Sequence, residues 1–202
     1  MGKSTFLFIG NHLALDFINT EIIVKGERTD LLGDFSTLLL WLVEADVLTP
    51  PQSDSIRTAL THEEGTMWLE RAKILRTDLR TLAERLATHK PIPESAIKSV
   101  NGSLSQRPGY LQLVKTKEGF EQRFHSIVDA HKGLMAPIAE AASSLLCDAT
   151  PTLIKKCAND ACILYFYDNS KNHTRTWCSM QLCGNRMKVA SFFERQRRHT
   201  KI

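Results

Sequence analysis

The stretch that decides the fold of the C-terminal part covers residues 155–189 and reads KKCANDACILYFYDNSKNHTRTWCSMQLCGNRMKV. It carries four of the chain's five cysteines, in the pattern C-x4-C, fifteen residues, C-x4-C: Cys157, Cys162, Cys178 and Cys183. Two close pairs joined by a segment long enough to fold back offer the four thiolates that a tetrahedral Zn²⁺ binds at about 2.3 Å. We predict one structural Zn²⁺; a redox pair and inert buried cysteines are the alternatives.

This pattern also bears on catalysis. A zinc ion held by four thiolates has no open position for water, which argues against a catalytic metal. The sequence shows no nucleophile–base pair and no glycine-rich phosphate loop that would indicate another kind of active site. We therefore expect the protein not to be an enzyme.

The segment between the two cysteine pairs has the composition of a hairpin. ILYFYD (163–168) is rich in aromatic and β-branched residues and is predicted as a strand. NSKN (169–172) is typical of a turn, and RTW (175–177) is predicted to return as the second strand. Such a hairpin is too small to bury a stabilising core, so we expect metal binding to supply folding free energy.

Charge is distributed unevenly along the 202 residues. Residues 155–202 hold ten Lys and Arg against three acidic residues, a net charge of +7, whereas residues 1–154 carry −3. A weakly acidic body with a basic tail predicts a polyanionic partner for the tail. With the four-cysteine pattern, DNA is the leading hypothesis, and RNA is the alternative that the charge does not separate from it. A solvated basic surface that keeps the protein soluble is the alternative.

A helix is predicted from Cys183 to about residue 198. We expect its apolar stripe of Val189, Phe192 and Phe193 to pack on the zinc hairpin or on the helical body. Cations on roughly the opposite face are then candidates for phosphate contacts. These candidates are Lys188, Arg195 and Arg198 on the helix, extended by Lys171 and Arg175 on the hairpin.

Asn185 and Arg186 have side chains that can make bidentate contacts with adenine and guanine edges, so they are candidates for base contacts. The alternative is structural: Asn185 caps the turn or the helix, and Arg186 pairs with Asp168. RNA binding, and a role as a zinc-stabilised protein-interaction or dimerisation module, remain alternatives to DNA binding.

Helical periodicity dominates upstream of residue 153. Apolar residues spaced alternately four and three apart predict helices over about 64–88 and about 118–147. Pro137 is predicted to kink or divide the second helix. The apolar seam of the first helix is a candidate interface for a homodimer, with core packing as the alternative.

Shorter elements complete this part. A helix is predicted over about 34–45, beginning at Asp34, with Pro50 and Pro51 as breakers after it. LALDFIN (13–19) favours helix, and residues 110–114 are predicted as a strand. The predicted fold class is mainly α (α+β): a mostly helical domain over 1–152 with a minor β element, and a small zinc ribbon-like domain over 153–202 that ends in a basic helix.

Asp16, Asn19 and Thr20 are polar positions within an otherwise apolar N-terminal stretch. They are candidates for lining a pocket that binds a small-molecule effector. The alternative, favoured by the preferences of these side chains, is that they satisfy backbone groups at a helix end.

No apolar run approaches the roughly 18 residues needed to cross a bilayer, so no membrane partner is expected. The N-terminal residues lack the features of a signal peptide. We therefore expect a cytoplasmic protein, in which thiols bind metals more often than they form disulfides.

Several of these motifs together resemble a known family. The tetrad Cys183-Gly184-Asn185-Arg186, the WCSM run at 177–180 and the D-x-S-x-N turn at 168–172 resemble the CGNR zinc finger. Upstream, LALDFINT (13–20), DLL (30–32) and LLLWLVEADVL (38–48) resemble the ABATE domain that accompanies it.

The resemblance implies a bacterial, stress-linked transcription regulator whose zinc module binds nucleic acid. One departure is visible: family members often carry further Arg or Lys directly after the tetrad, whereas VASFFE (189–194) stands here.

Overall fold

The structure is a computed structural model, and it describes residues 6–106, 109–117, 119–126 and 130–199. Its helices are α1 (Leu13–Ile18), α2 (Phe35–Glu44), α3 (Pro50–Ala59), α4 (His62–Ala87), α5 (Glu94–Leu104), α6 (Ala136–Cys147) and α7 (Asn185–His199). Its strands form antiparallel pairs: β1 (Glu21–Val24) with β2 (Glu27–Asp30), β3 (Gly109–Thr116) with β4 (Gly119–Ser126), and β5 (Ile154–Lys156) with β6 (Tyr165–Tyr167). The predicted fold class, mainly α with minor β, is confirmed. Over these residues, no helix is both long and apolar enough to span a bilayer.

Helix α4 is the central helix of the larger part of the molecule, which we call the helical body (residues 6–149). A capping box fixes its start, because the Glu64 carboxylate accepts from Thr61 N–H at 2.8 Å while Glu64 N–H donates to Thr61 Oγ1. Its apolar seam is buried against α1, α2 and α5. The helix predicted over 64–88 is thus confirmed, and its seam belongs to the core rather than to a dimer interface.

Helices α1 and α2 bring large side chains into the same core. Phe17 and Trp41 are almost completely buried, with ring centroids 5.1 Å apart. Asp34 caps α2 by accepting from Thr37 N–H at 2.7 Å. The helices predicted at 13–19 and 34–45 are both confirmed.

Pro50 and Pro51 follow the end of α2, as predicted, and they also open α3, which was not predicted from the sequence. Proline suits the first helical turn: its fixed φ is already helical, and its missing N–H would have no partner there. Gln52 completes the start by accepting from Thr49 N–H at 2.8 Å.

The helix predicted over 118–147 is wrong in its first part, where residues 119–126 form β4. Phe120 and Phe124 lie four apart, a spacing that fits a helix but also keeps both residues on one face of a strand. Gly119 has φ +138°, which favours glycine and closes the turn from β3. α6 starts at Ala136 with Pro137 in its first turn, and the strand predicted at 110–114 lies in β3. Residues 118 and 127–129 of this prediction lie outside the described residues.

Candidate metal centre and basic helix

Four cysteine side chains converge at one buried point. The Sγ atoms of Cys157, Cys162, Cys178 and Cys183 all lie within 4.8 Å of one another, and those of Cys162 and Cys178 are 3.8 Å apart. Four sulfurs at about 2.3 Å from a central Zn²⁺ would stand about 3.8 Å apart along each tetrahedral edge. The donor set therefore fits one Zn²⁺ and leaves no position for a water ligand.

The thiols do not all ionise in the absence of a cation. Hydrogen bonds from Cys162 and Cys178 lower the pKa of the Cys157 thiol to about 2. Bonding to Cys157 raises the pKa of the Cys162 thiol to about 12 and raises the pKa of Cys178 well above its ordinary value. Hydrogen bonding among these sulfurs thus favours ionisation of Cys157 and opposes that of Cys162 and Cys178. A bound divalent ion displaces the thiol protons, because thiolates are the ligating form.

Asn159 shapes the loop between the first two cysteines. Its buried side chain accepts from Ala161 N–H at 3.1 Å and donates from Nδ2 to the Cys183 sulfur at 3.4 Å. It therefore ties the first cysteine pair to the second. Asn159 was not among the predicted site residues, although an Asn within a four-residue loop is a recognisable turn signal.

The second pair is positioned by a π-helical turn over Met180–Gly184. Ser179 opens this turn, accepting at Oγ from Gln181 N–H at 3.2 Å and at its carbonyl from Cys183 N–H at 3.0 Å. A side chain at Gly184 would meet the Met180 sulfur at 2.6 Å. A larger residue at this position would therefore require the exposed Met180 side chain to move.

The strand that follows Cys162 pairs differently from the prediction. β6 pairs with β5, so that Ile154 lies opposite Tyr167. Residues 175–177 form no strand, and the predicted pairing of 163–168 with 175–177 is wrong. The segment is held as a loop instead, because Asp168 and Arg175 take up its backbone groups.

Asp168 is fully buried and gathers the polar groups of this loop. Its carboxylate accepts from Lys155 Nζ at 2.6 Å, Ser170 N–H at 3.1 Å and Arg175 N–H at 2.9 Å. Burial raises the pKa of the carboxyl, but the bonds from Lys155 and Ser170 outweigh it and bring the pKa to about 2. Lys155, not Arg186, is thus the cation paired with Asp168.

The guanidinium of Arg175 is committed to the fold. It donates to Ile9 O at 2.8 Å, to Trp177 O at 3.0 Å and to Cys178 O, and it lies 4.1 Å over the Phe166 ring. These bonds link the N-terminal segment to a metal ligand. We therefore leave Arg175 out of the candidate nucleic-acid surface in which the sequence analysis had placed it.

Asn19 joins the helical body to the zinc module, the name used here for residues 154–199. Its buried amide donates to Tyr165 O at 2.8 Å and accepts from Tyr165 N–H at 3.0 Å, so it pairs with β6 as a neighbouring strand would. Arg80 strengthens the same junction by donating to Ile163 O at 2.9 Å and to Ile18 O.

The other two residues predicted to line a pocket also hold backbone groups. Thr20 Oγ1 donates to Phe17 O at 2.7 Å and accepts from Arg76. Asp16 accepts from Gly10 N–H at 2.7 Å, and burial raises the pKa of its carboxyl to about 6. These contacts fit the structural alternative for all three residues better than a ligand pocket.

An ion pair between the buried Arg76 and the more exposed Asp30 lies next to Thr20, with both hydrogen bonds at 2.6 Å. Arg76 is almost completely enclosed by the helical body. This pair was not predicted from the sequence, because an arginine between the apolar positions of α4 is typical of the exposed face of a helix.

The remaining nucleic-acid candidates lie on the surface. Lys171, Asn185, Arg186 and Lys188 are all exposed. Arg195 and Arg198 belong to α7, but their side chains lie outside the described ones.

The apolar stripe of α7 is exposed, and the prediction that it packs on the protein is wrong. The exposed fractions are 55% for Val189, 51% for Phe192 and 58% for Phe193. The helix packs mainly on the π-helical turn before it and presents the stripe to solvent. A short apolar stripe in sequence does not reveal whether a partner surface lies within reach.

The fold and the sulfur cluster define a mainly α protein with a four-cysteine zinc module. The chain belongs to the ABATE family, described as "Putative stress-induced transcription regulator", whose sequence model matches residues 11–149. Residues 154–196 match the CGNR zinc finger, and with the four cysteines this assigns one structural Zn²⁺. No curated protein matches the chain. The domain division at residues 152 and 153 stays a prediction.

Proposed function

We propose that the protein is a transcription regulator that binds duplex DNA through its zinc module. The observation that carries this proposal is an exposed basic surface mounted on the metal centre. Arg186 and Lys188 begin α7 directly after the ligand Cys183, and neither makes an ion pair with any described residue. Phosphate contacts by such cations supply most of the non-specific affinity for DNA.

The aromatic residues of β6 favour duplex DNA over single-stranded RNA. Tyr165 and Phe166 are buried, and Tyr167 is half-buried against the helical body. Binding of single strands relies on exposed aromatic rings that stack on unpaired bases. This strand offers no such platform, and the exposed rings of Phe192 and Phe193 lie on a helix, an element that the major groove of a duplex admits.

The zinc ion and the helical body have supporting roles in this proposal. The ion fixes the turn from which α7 starts, and the bonds from Asn19 and Arg175 fix the module on the body. A closed four-thiolate site suits this structural role, and we propose that the protein is not an enzyme. A cytoplasmic location, a homodimer and a small-molecule effector remain predictions.

The test is the salt dependence of DNA affinity. Fluorescence anisotropy with a labelled duplex should give a log–log slope of several units, falling by about 2 in the R186A/K188A double variant. The K90A/K98A variant is the matched control, since it removes two exposed lysines of the helical body. A wild-type slope of about 1 or less would overturn the proposal, and preferential competition by single-stranded RNA would replace DNA with RNA.

A further inference from the structure

Helix α7 carries an exposed apolar stripe and exposed basic residues side by side. Val189, Phe192 and Phe193 occupy one face by their i, i+3, i+4 spacing, and the last two rings meet edge to face with centroids 5.8 Å apart. The same spacing places Arg186 on one side of this stripe and Lys188 on the other. One cation therefore flanks each side of the apolar stripe near the start of α7.

This cross-section matches the major groove of B-form DNA. The groove is about 12 Å wide and admits a helix of about 10–12 Å diameter, with phosphates along both walls. Its floor carries the C5 methyl group of thymine, which apolar side chains contact. At 15 residues, α7 is roughly 22 Å long and has few contacts beyond the turn before it.

We infer that α7 enters the major groove with its apolar stripe toward the floor, where Val189 and Phe192 contact thymine methyl groups. Arg186 and Lys188 then face the phosphates of opposite walls. This inference rests on the proposed function and names the feature of DNA that the module recognises.

The charge of α7 argues against a second copy of the chain as the occupant of the stripe. The helix holds five Lys and Arg against the single acid Glu194. Stripe-to-stripe packing of two such helices would bring like charges together, whereas the groove supplies opposite charge on both sides.

The experiment compares two duplexes of about 20 base pairs, one A·T-rich and one in which uracil replaces every thymine. Uracil keeps the base-pairing edge and removes only the methyl group. Wild-type protein should bind the thymine duplex about fourfold more tightly for each methyl group contacted. In F192S and V189S this preference should fall toward unity, while the salt slope stays unchanged. L40S is the matched control, because Leu40 on α2 is as exposed as Phe192.

The outcomes separate the two proposals. Equal binding of both duplexes by the wild type, or an undiminished preference in F192S, overturns the groove contact and leaves DNA binding intact. Failure to bind either duplex overturns both. If F192S instead abolishes self-association in analytical ultracentrifugation, or co-sedimentation with anionic phosphatidylserine vesicles, the stripe serves that partner and the inference is wrong.

Discussion

The helical body and the zinc module are stabilised by different kinds of interaction. In the body, side chains such as Phe17, Ile18 and Trp41 are almost completely buried, and burial of apolar area is the main source of stability. In the module, the buried apolar side chains packed with the four cysteines are Leu164 and Phe166, among the described residues, whereas Ile154 and Tyr165 are buried in the core of the body. The rest of the module's stability comes from metal binding by the four sulfurs and from hydrogen bonds and ion pairs between polar groups. The body should therefore be sensitive to loss of apolar packing, and the zinc module to loss of the metal ion.

Removing one sulfur ligand should separate the behaviour of the two parts most strongly. C178S should reduce bound zinc from one ion per chain to a small fraction, because the site loses one of its four ligands. The full set of ligands supplies about 10–16 kcal/mol of apparent binding free energy. Far-UV circular dichroism should retain most of its helical signal, since the body has its own core. Metal content follows from a colorimetric chelator assay.

Cys147 provides the control for that measurement, because it is exposed and remote from the cluster. C147S should keep one zinc ion and the wild-type unfolding curve. Full zinc retention by C178S would show that the cluster is not the metal site. Complete loss of helix would show that the body cannot stand without the module.

R175A should destabilise the module by about 3 kcal/mol, because three partly buried carbonyls lose a charged donor at once. The measurement is zinc release during urea unfolding, followed alongside circular dichroism. Zinc release should shift to lower urea more than the helical signal does. R186A is the matched arginine control, and an equal effect of the two variants would contradict the structural role of Arg175.

N19A tests the junction between the two parts. It leaves the Tyr165 N–H and carbonyl unpaired in a buried position, at a cost of about 2 kcal/mol. The two unfolding probes, coincident in the wild type if the parts unfold together, should separate in this variant. N11A, which removes more exposed bonds to Tyr167 O and Asn169, should have a smaller effect. An N19A protein with coincident, unshifted transitions would refute the junction.

D16N should have the smallest effect, and one that depends on pH. Because burial raises the pKa of the folded carboxyl to about 6, the folded state binds more protons than the unfolded state between about pH 4 and pH 6. Wild-type stability therefore falls as pH rises through this window. Relative to D16N, the wild type should lose about 1 kcal/mol between pH 5 and pH 7 in urea unfolding. A constant difference across this range would show that Asp16 does not titrate there.

The sequence was most informative where a residue's chemistry determines its environment. Four cysteines at suitable spacing have few alternatives to a shared ion, and the seam of α4 is long enough to define its period. The spacing of Phe120 and Phe124 fits two structures, and only the turn at Gly119 separates them. Pro50 shows the same ambiguity, since proline both ends and begins helices.

The pairing of segments that lie far apart in the chain could not be predicted from the sequence. Nothing in residues 154–156 indicates that they, rather than 175–177, pair with β6. Likewise, the inward positions of Arg175 and Arg76 depend on carbonyls and a carboxylate supplied by distant segments. The exposure of the α7 stripe has the same origin, because it depends on which surfaces the tertiary fold brings near.

The N-terminal segment is held by residues near the other end of the chain, since Tyr167 N–H donates to Gly10 O at 2.8 Å. This arrangement has a consequence for biosynthesis. Leu7 and Ile9, which pack against the cysteine cluster, leave the ribosome long before the residues that cover them. At about 5–20 residues per second, they wait roughly 8–30 s for their partners. During that interval the nascent chain exposes an unpaired apolar segment, so chaperone capture and zinc supply during translation should set the yield of folded protein.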